Sequence, residues 1–453
     1  MLAEVPEGGD YPDSVAGAVM LTHNRLRAET PGAAVLAELC AWLAPEGLGE
    51  ALFAGAVIGP NWQDARAAFG PEVVALLEDP DARRVAFKGL RRWSVISDCG
   101  GMHRLTQAVL RGQGGQAMAK SAAAVLAAQF PTEASVVLNW SACRRLLPHV
   151  TALWAEAGPL WQGNWGKPGW AAMDYLLNQA GIFLSKQSDW PGAIALKRGS
   201  LDLTEAMFGE SDWGLTVALG NLALNLAEVG DLAEAQVKID RAVALDLAHR
   251  TAAERADLAT SYLQQASIAI RRFEAGGDAA QGAEAMAEAA LGKARALLEE
   301  LFGDTSAEMS NWWNQRGYFR RAQGRKGAEI FAYRCALDLA RALPGFDRAE
   351  FLGRATNFGG TALELGRAEE AQAALREAYQ LAVEIYVEVP DHPHLQKAAL
   401  WLTRCLFTLA RKGQQTEAEA RAICARHGLD PEERRAGAAR FPLDPVAVTE
   451  AEG

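Results

Sequence analysis

The sequence predicts an all-α chain, with an α-α solenoid over residues 169–434 and a smaller helical domain in front of it. Three observations carry this. Half of the 453 residues are hydrophobic, alanine and leucine are abundant, and runs of Val, Ile and Thr are scarce, a balance that favours helix over strand. Apolar residues recur at i, i+3, i+4 and i+7 in paired runs separated by short breaks, the pattern of helix–turn–helix units. Equivalent positions 193, 235, 287, 329, 371 and 418 are spaced 42, 52, 42, 42 and 47 residues apart, and a period of this length marks stacked helix pairs.

The individual units support the period. In LGNLALNLAEVGDLAEAQVKIDRAVALD (219–246), Gly230-Asp231 separates two amphipathic runs, and Ala223, Ala235 and Ala242 fall where antiparallel helices must approach closely. GIFLSKQSDWPGAIALKRGSLDL (181–203) repeats the plan with Gly181 and Ala193, and FGGTALELGRAEEAQAALREAYQLA (358–382) repeats it with Gly359, Ala371 and Ala378. RGYFRRAQGRKGAEIFAYRCALDLA (316–340) keeps Gly317, Gly324 and Ala336 but places Glu329 at the second-helix small position. A carboxylate there predicts a helix start that is shifted or splayed. The spacing of 52 is absorbed by an insertion near RFEAGGDAAQGAEA (272–285). A coiled coil would carry one strict heptad through the breaks, and none runs through them. Each pair buries its face only against its neighbours, so the stack must be contiguous.

The N-terminal third reads differently. Short helical patterns (DSVAGAVMLTHNRLRAE, AAVLAELCAWLAP, LGEALFAGA, PEVVALLED, DARRVAFKGLRRW) lead to a β-prone stretch, SVISDCGGMH, with Gly100-Gly101 as a turn, and then to a helix, HRLTQAVLRGQ. Helices followed by a small hairpin predict a winged-helix domain at 20–112, behind a linker at 1–19 and ahead of connecting helices at 113–168. Residues 435–453 read as a flexible tail.

Composition narrows the function classes. A formal net charge of -11 disfavours nucleic acid and anionic membranes as partners, since phosphate neutralisation needs clustered Lys and Arg. No 18-residue apolar run occurs, and the acidic start MLAEVPEGGDYPDS has no signal-peptide core, so no membrane association is expected. The cysteines at 40, 99, 143, 335, 405 and 424 lie in helical patterns, as expected of reduced, buried thiols in a cytoplasmic protein.

The helix pairs resemble tetratricopeptide repeats, about six of them, and their long period is similar to the kinesin-light-chain type, which implies a superhelix with a concave ligand surface. LAELCAWLAPEGL and LRRWSVISDCGGMHRLTQAVLR resemble the winged-helix segment that follows the ATPase domain of NB-ARC-type STAND signalling proteins. DYPDSVAGAVMLTHNRL resembles the linker entering that segment, and NWSACRRLLPHVTAL (139–153) the helices leaving it. In that family a Met-His-Asp motif contacts bound ADP. Met102-His103 matches its first two residues, which implies a nucleotide contact for His103 in an associated ATPase domain. The third position is Arg104, so no role for the acid carries over. The chain thus resembles the C-terminal half of such a protein, beginning just after the ATPase. The expectation is no cofactor in this chain, with ADP or ATP reached only through an associated nucleotide-binding domain in cis or trans.

The sequence offers no catalytic set of its own. A phosphate loop needs G-x-x-x-x-G-K-[ST]. Gly166-Lys167-Pro168 lacks the first glycine and the hydroxyl, and reads as a linker turn beside a packing patch of Trp161, Trp165 and Trp170. Cys424 with His427, and His392 with His394, lack the further ligands of a zinc site, so no metal is expected. Cys99 and His103 have no orienting acid for a nucleophile–base pair. Arg83, Arg84, Lys88, Arg91, Arg92, Arg104 and Arg111 form a basic run that could meet phosphates, a neighbouring acidic domain or plain solvent.

The sequence is therefore read as a non-enzymatic, protein-binding sensor or scaffold: the ligand-sensing part of a STAND-type switch. A free-standing adaptor without nucleotide is the alternative, and a winged-helix DNA-binding regulator stands behind both. Asparagine recurs two or three residues before the small residue of the first helix, at Asn178, Asn221, Asn314 and Asn357. The repeat resemblance implies that these positions line the concave groove. An amide that donates and accepts suits the backbone of an extended protein or peptide ligand. Tyr318 and Arg321, one turn further on, add a stacking surface and a charge.

Overall fold

The computed structural model describes residues 11–160, 166–248, 255–387 and 389–450, and the chain divides into two compact units, Met1–Ala218 and Leu219–Gly453. Among the described residues every regular element is helical and no strand occurs. No helix among them is long and apolar enough to cross a membrane.

The first unit contains α1 (Tyr11–Glu29), α2 (Pro31–Cys40), α3 (Glu50–Val57), α4 (Trp62–Ala65), α5 (Pro71–Glu78), α6 (Pro80–Arg92), α7 (Arg104–Gln129), α8 (Trp140–Ala157), α9 (Gly166–Lys186) and α10 (Trp190–Phe208). Helix α2 is apolar almost all round, which is the signature of a helix buried on every side, and α1, α6 and α7 enclose it. Its one carboxylate, Glu38, is buried and accepts from His23 Nε2 at 2.8 Å and Arg27 at 2.7 Å. The entry to α6 is capped by Asp79, whose Oδ1 accepts from Asp81 and Ala82, with Pro80 at the first helical position.

Three expectations for this third of the chain are corrected. The linker expected at 1–19 is helical from Tyr11 onward. The winged-helix hairpin is not formed. Val95 and Ile96 are buried, and their amides turn back to the Leu90 carbonyl at the end of α6, while Ser97 and Gly101 close a tight turn. Two β-branched residues committed to finishing a helix leave too little chain for paired strands. The boundaries at 112 and 168 do not separate bodies. Helix α7 runs through the first, interrupted only at Gly115, and packs with α8 and α9 as well as with α1 and α2.

Helix α11 (Leu215–Glu228) straddles the border between the units. The second unit continues with α12 (Leu232–Ala248), α13 (Arg255–Ala275), α14 (Ala283–Phe302), α15 (Ala307–Ala322), α16 (Lys326–Ala342), α17 (Arg348–Glu364), α18 (Ala368–Ile385), α19 (Pro393–Arg411), α20 (Glu417–Arg426) and α21 (Pro431–Ala438). Consecutive helices pack in series, α13 on α14, α15 on α16 and α17 on α18, with each pair packed on the next, as in an α-α solenoid. The expected insertion appears as Gly276–Gly282 between α13 and α14.

The register is set by small residues. Ala193, Ala235 and Ala371 are each the fourth residue of their helix, and each is fully buried. Glu329 holds the same position in α16, also fully buried, so that helix is neither shifted nor splayed. In the last pair the expected position 418 is exposed and the fourth residue is Ala420, because the turn before α20 is longer. Sixteen residues after the first-helix glycine comes the side chain that fills its place. The Tyr333 ring lies where a Cβ of Gly317 would be, and Leu375 does the same at Gly359. The short turns share a left-handed residue: Ser188, Gly230, Gly324, Gly366 and Gly413. The expected flexible tail at 435–453 begins inside α21, and residues 441–450 lie against the second unit.

Candidate functional site

The predicted groove residues fall into two groups. Asn314, Tyr318, Arg321 and Asn357 converge on the facing first helices α15 and α17. Asn357 Nδ2 donates to Asn314 Oδ1 at 3.0 Å and to the Tyr318 hydroxyl at 2.9 Å, and both asparagines are buried. Asn178, in the first unit, and Asn221, in α11, are half-buried and have no side-chain hydrogen bond to the described residues. The asparagines are spaced 43 apart within each close pair, 178 with 221 and 314 with 357, and in the second of these the two amides meet each other.

Around the bonded pair the structure assembles charges that the spacing did not single out. Thr361 Oγ1 donates to Glu329 Oε1 at 2.9 Å, and Lys326 Nζ lies 3.0 Å from Glu329 and 2.6 Å from Glu364. Arg321 approaches Glu364 at 3.5 Å and Glu329 at 4.0 Å. Burial works against the Lys326 ammonium, but its bonds to Glu364 and Glu329 outweigh that, and its pKa is raised. Burial pushes the Tyr333 phenol well above its ordinary value and keeps it a neutral donor. Arg321 and Lys326 remain exposed at the rim, at 40% and 38% of their side chains, while Glu329 lies beneath them at 0%. The cluster can offer two cationic donors and the half-buried Tyr318 phenol to a carboxylate or a peptide carbonyl. Beyond the predicted Asn314, Tyr318, Arg321 and Asn357, Glu329 was legible as a charged residue at a position that otherwise takes alanine, whereas Lys326, Thr361 and Glu364 were not singled out.

His103 lies at the head of α7. Its Nδ1 accepts from the Leu105 amide at 3.2 Å, which places the proton of the neutral ring on Nε2, and the residue is exposed beside the buried Met102. Cys99 is exposed, not buried as expected, and its Sγ lies 3.0 Å from Ser97 Oγ. The basic run does not form one face. Arg83 is buried and donates to the Leu77 carbonyl, Arg84 pairs with Asp81, and Arg111 bonds the Ala41 carbonyl and Glu156.

The remaining pairs have structural partners. His392 caps α19 and stacks on Tyr386 at 3.8 Å, and His427 Nε2 lies 2.9 Å from the Tyr379 hydroxyl. Trp170 meets Phe208 edge-on at 4.6 Å, whereas Trp161 and Trp165 lie outside the described residues.

No family model matches the chain, and no curated protein matches it. Among solved structures it is similar to the crystal structure of BtubC (BKLC) from P. vanneervenii, at 17% identity and a TM-score of 0.37, over 54% of this chain and 90% of that chain.

Proposed function

We propose that this chain is a protein-binding scaffold of the tetratricopeptide type, which recognises a protein or peptide segment through polar residues of its first helices. The observation that carries the reading is the cluster on α15 and α17, where the buried pair Asn314–Asn357 fixes Tyr318 while Arg321 and Lys326 remain exposed beside it. A polar patch whose members are held by their own hydrogen bonds loses little entropy on binding, which favours recognition of an extended ligand. The amide of Asn221 offers the same chemistry two helix pairs earlier in the chain, on α11. The resemblance to STAND proteins adds a proposed relay. The exposed Nε2–H of His103 would donate to a nucleotide phosphate in an associated ATPase domain, and ligand binding at the repeats would bias that domain through differential contacts in its two states.

A photo-crosslinking residue placed at Tyr318 or Asn221 in the full chain tests the recognition face, with the exposed Val237 of α12 as control. In an extract of the organism that encodes the protein, the two face positions are expected to capture the same protein and Val237 none of it. Equal capture at all three positions rejects the assignment.

A further inference from the structure

The C-terminal segment is anchored along the second unit. Beyond α21, Phe441 packs against Trp401 with ring centroids 6.2 Å apart, and Arg411 donates to the carbonyls of Ala438 at 2.7 Å and Phe441 at 3.2 Å. The chain then runs over the turn between α17 and α18, where the Val446 amide donates to the Leu365 carbonyl at 2.8 Å. Glu450 pairs with Arg367 and lies 3.6 Å from Arg334 on α16. Two glycines lie under the segment. A Cβ on Gly366 would overlap the Asp444 carbonyl, and one on Gly327 would overlap the Thr449 carbonyl. The left-handed turn accounts for Gly366 by itself. Gly327, the second residue of α16, has no left-handed φ that would call for glycine, and the close passage of the C-terminal backbone is what its missing side chain permits.

We infer that Gly327, Arg334, Gly366 and Arg367 form a docking site for an extended acidic peptide segment of a partner protein, and that residues 442–450 occupy it in cis. The tail itself shows the chemistry of the occupant. Pro442 and Pro445 favour an extended backbone, one amide bonds the edge carbonyl, and a carboxylate four residues later meets two guanidinium groups. A tethered segment faces its site at a high effective concentration, so a partner binds only by outcompeting it. The site borders the Asn314 cluster, with Lys326 next to Gly327, but shares no side chain with it, so loss of peptide binding here and loss of capture at Tyr318 are read by different probes and remain distinct results.

The test uses the full chain with Val446→Pro and Glu450→Lys, which remove the edge hydrogen bond and the anion from the tail and leave the site intact. A fluorescent peptide with the sequence of residues 441–450 is titrated by anisotropy. It is expected to bind this variant at least about tenfold more tightly than the unaltered chain, in which the tethered tail competes, and to lose that binding when Arg367→Glu is added. In the unaltered chain the Val446 amide is expected to exchange with deuterium far more slowly than in the free peptide. Equal binding to both chains, binding to neither, or free-peptide exchange at Val446 overturns the proposal.

Discussion

The pairs α15/α16 and α17/α18 share one backbone plan and differ in what they bury. Both turn on a left-handed glycine, Gly324 or Gly366, and both bring their helices together at a glycine, Gly317 or Gly359. In the second pair the partners are Leu375 and Ala371, which need nothing but packing. In the first they are Tyr333 and Glu329, whose burial costs free energy unless polar neighbours hold them. Thr361 and Lys326 supply those contacts to Glu329. Helix register is therefore set by the turn and the close approach, and the residues at the other positions are free to carry chemistry.

The largest effects are expected where the two pairs agree. Gly317→Val and Gly359→Val should each destabilise the second unit by about 3 kcal/mol, because the added atoms meet Tyr333 and Leu375 in a filled interior. Tyr333→Ala should relieve the first substitution and leave the second unrelieved. Urea denaturation of the four full-length chains checks this, and a neutral Gly317→Val would break the shared plan.

His149 of the first unit is buried, its Nδ1 accepts from the Ala44 amide at 3.2 Å, and burial, aided by the charge of Arg145, lowers its pKa to about 4. Between its ordinary value and about 4 the unfolded chain binds the proton and the folded one does not, so stability is full above that window and is lost as pH falls through it. The loss is on the order of 3 kcal/mol at most. Melting curves from pH 7 to pH 4 should show the decline, and His149→Gln should flatten it.

Two smaller effects sharpen the comparison. Glu329→Ala gives the first pair the residue of the second. It should cost about 1–2 kcal/mol, since Thr361 loses its acceptor while Lys326 keeps Glu364. Ser188 adopts the left-handed conformation that glycine takes in the other short turns, so Ser188→Gly should raise stability by about 1 kcal/mol, read as a higher melting temperature.

The helix pairs were legible because the constraints behind them are local: a left-handed residue at each short turn, and small residues at fixed offsets from it. Asparagines 43 residues apart were legible as a series, but periodicity alone cannot say whether two amides face a ligand or each other. Asn314 and Asn357 face each other. The stretch SVISDCGGMH read as a hairpin because Val95 and Ile96 favour strands, yet the end of α6 and the loop carrying Pro45 claim its backbone groups. The C-terminal segment read as a loose tail because its anchors, Gly327, Arg334, Gly366 and Arg367, are roughly 80 to 120 residues away in sequence, and no local pattern joins such distant residues.

The central claim is that the exposed rim of the α15–α17 cluster binds a partner while the asparagine pair beneath it holds the fold. Arg321→Ala and Asn357→Ala in the full chain separate these roles most directly, with melting temperature and quantitative retention of the crosslinked protein read on the same samples. The account predicts that Arg321→Ala melts within about 1 kcal/mol of the unaltered chain, as for a rim ion pair, and loses the partner. It predicts that Asn357→Ala melts lower, because Asn314 and Tyr318 lose their shared donor. Undiminished retention by Arg321→Ala would contradict it.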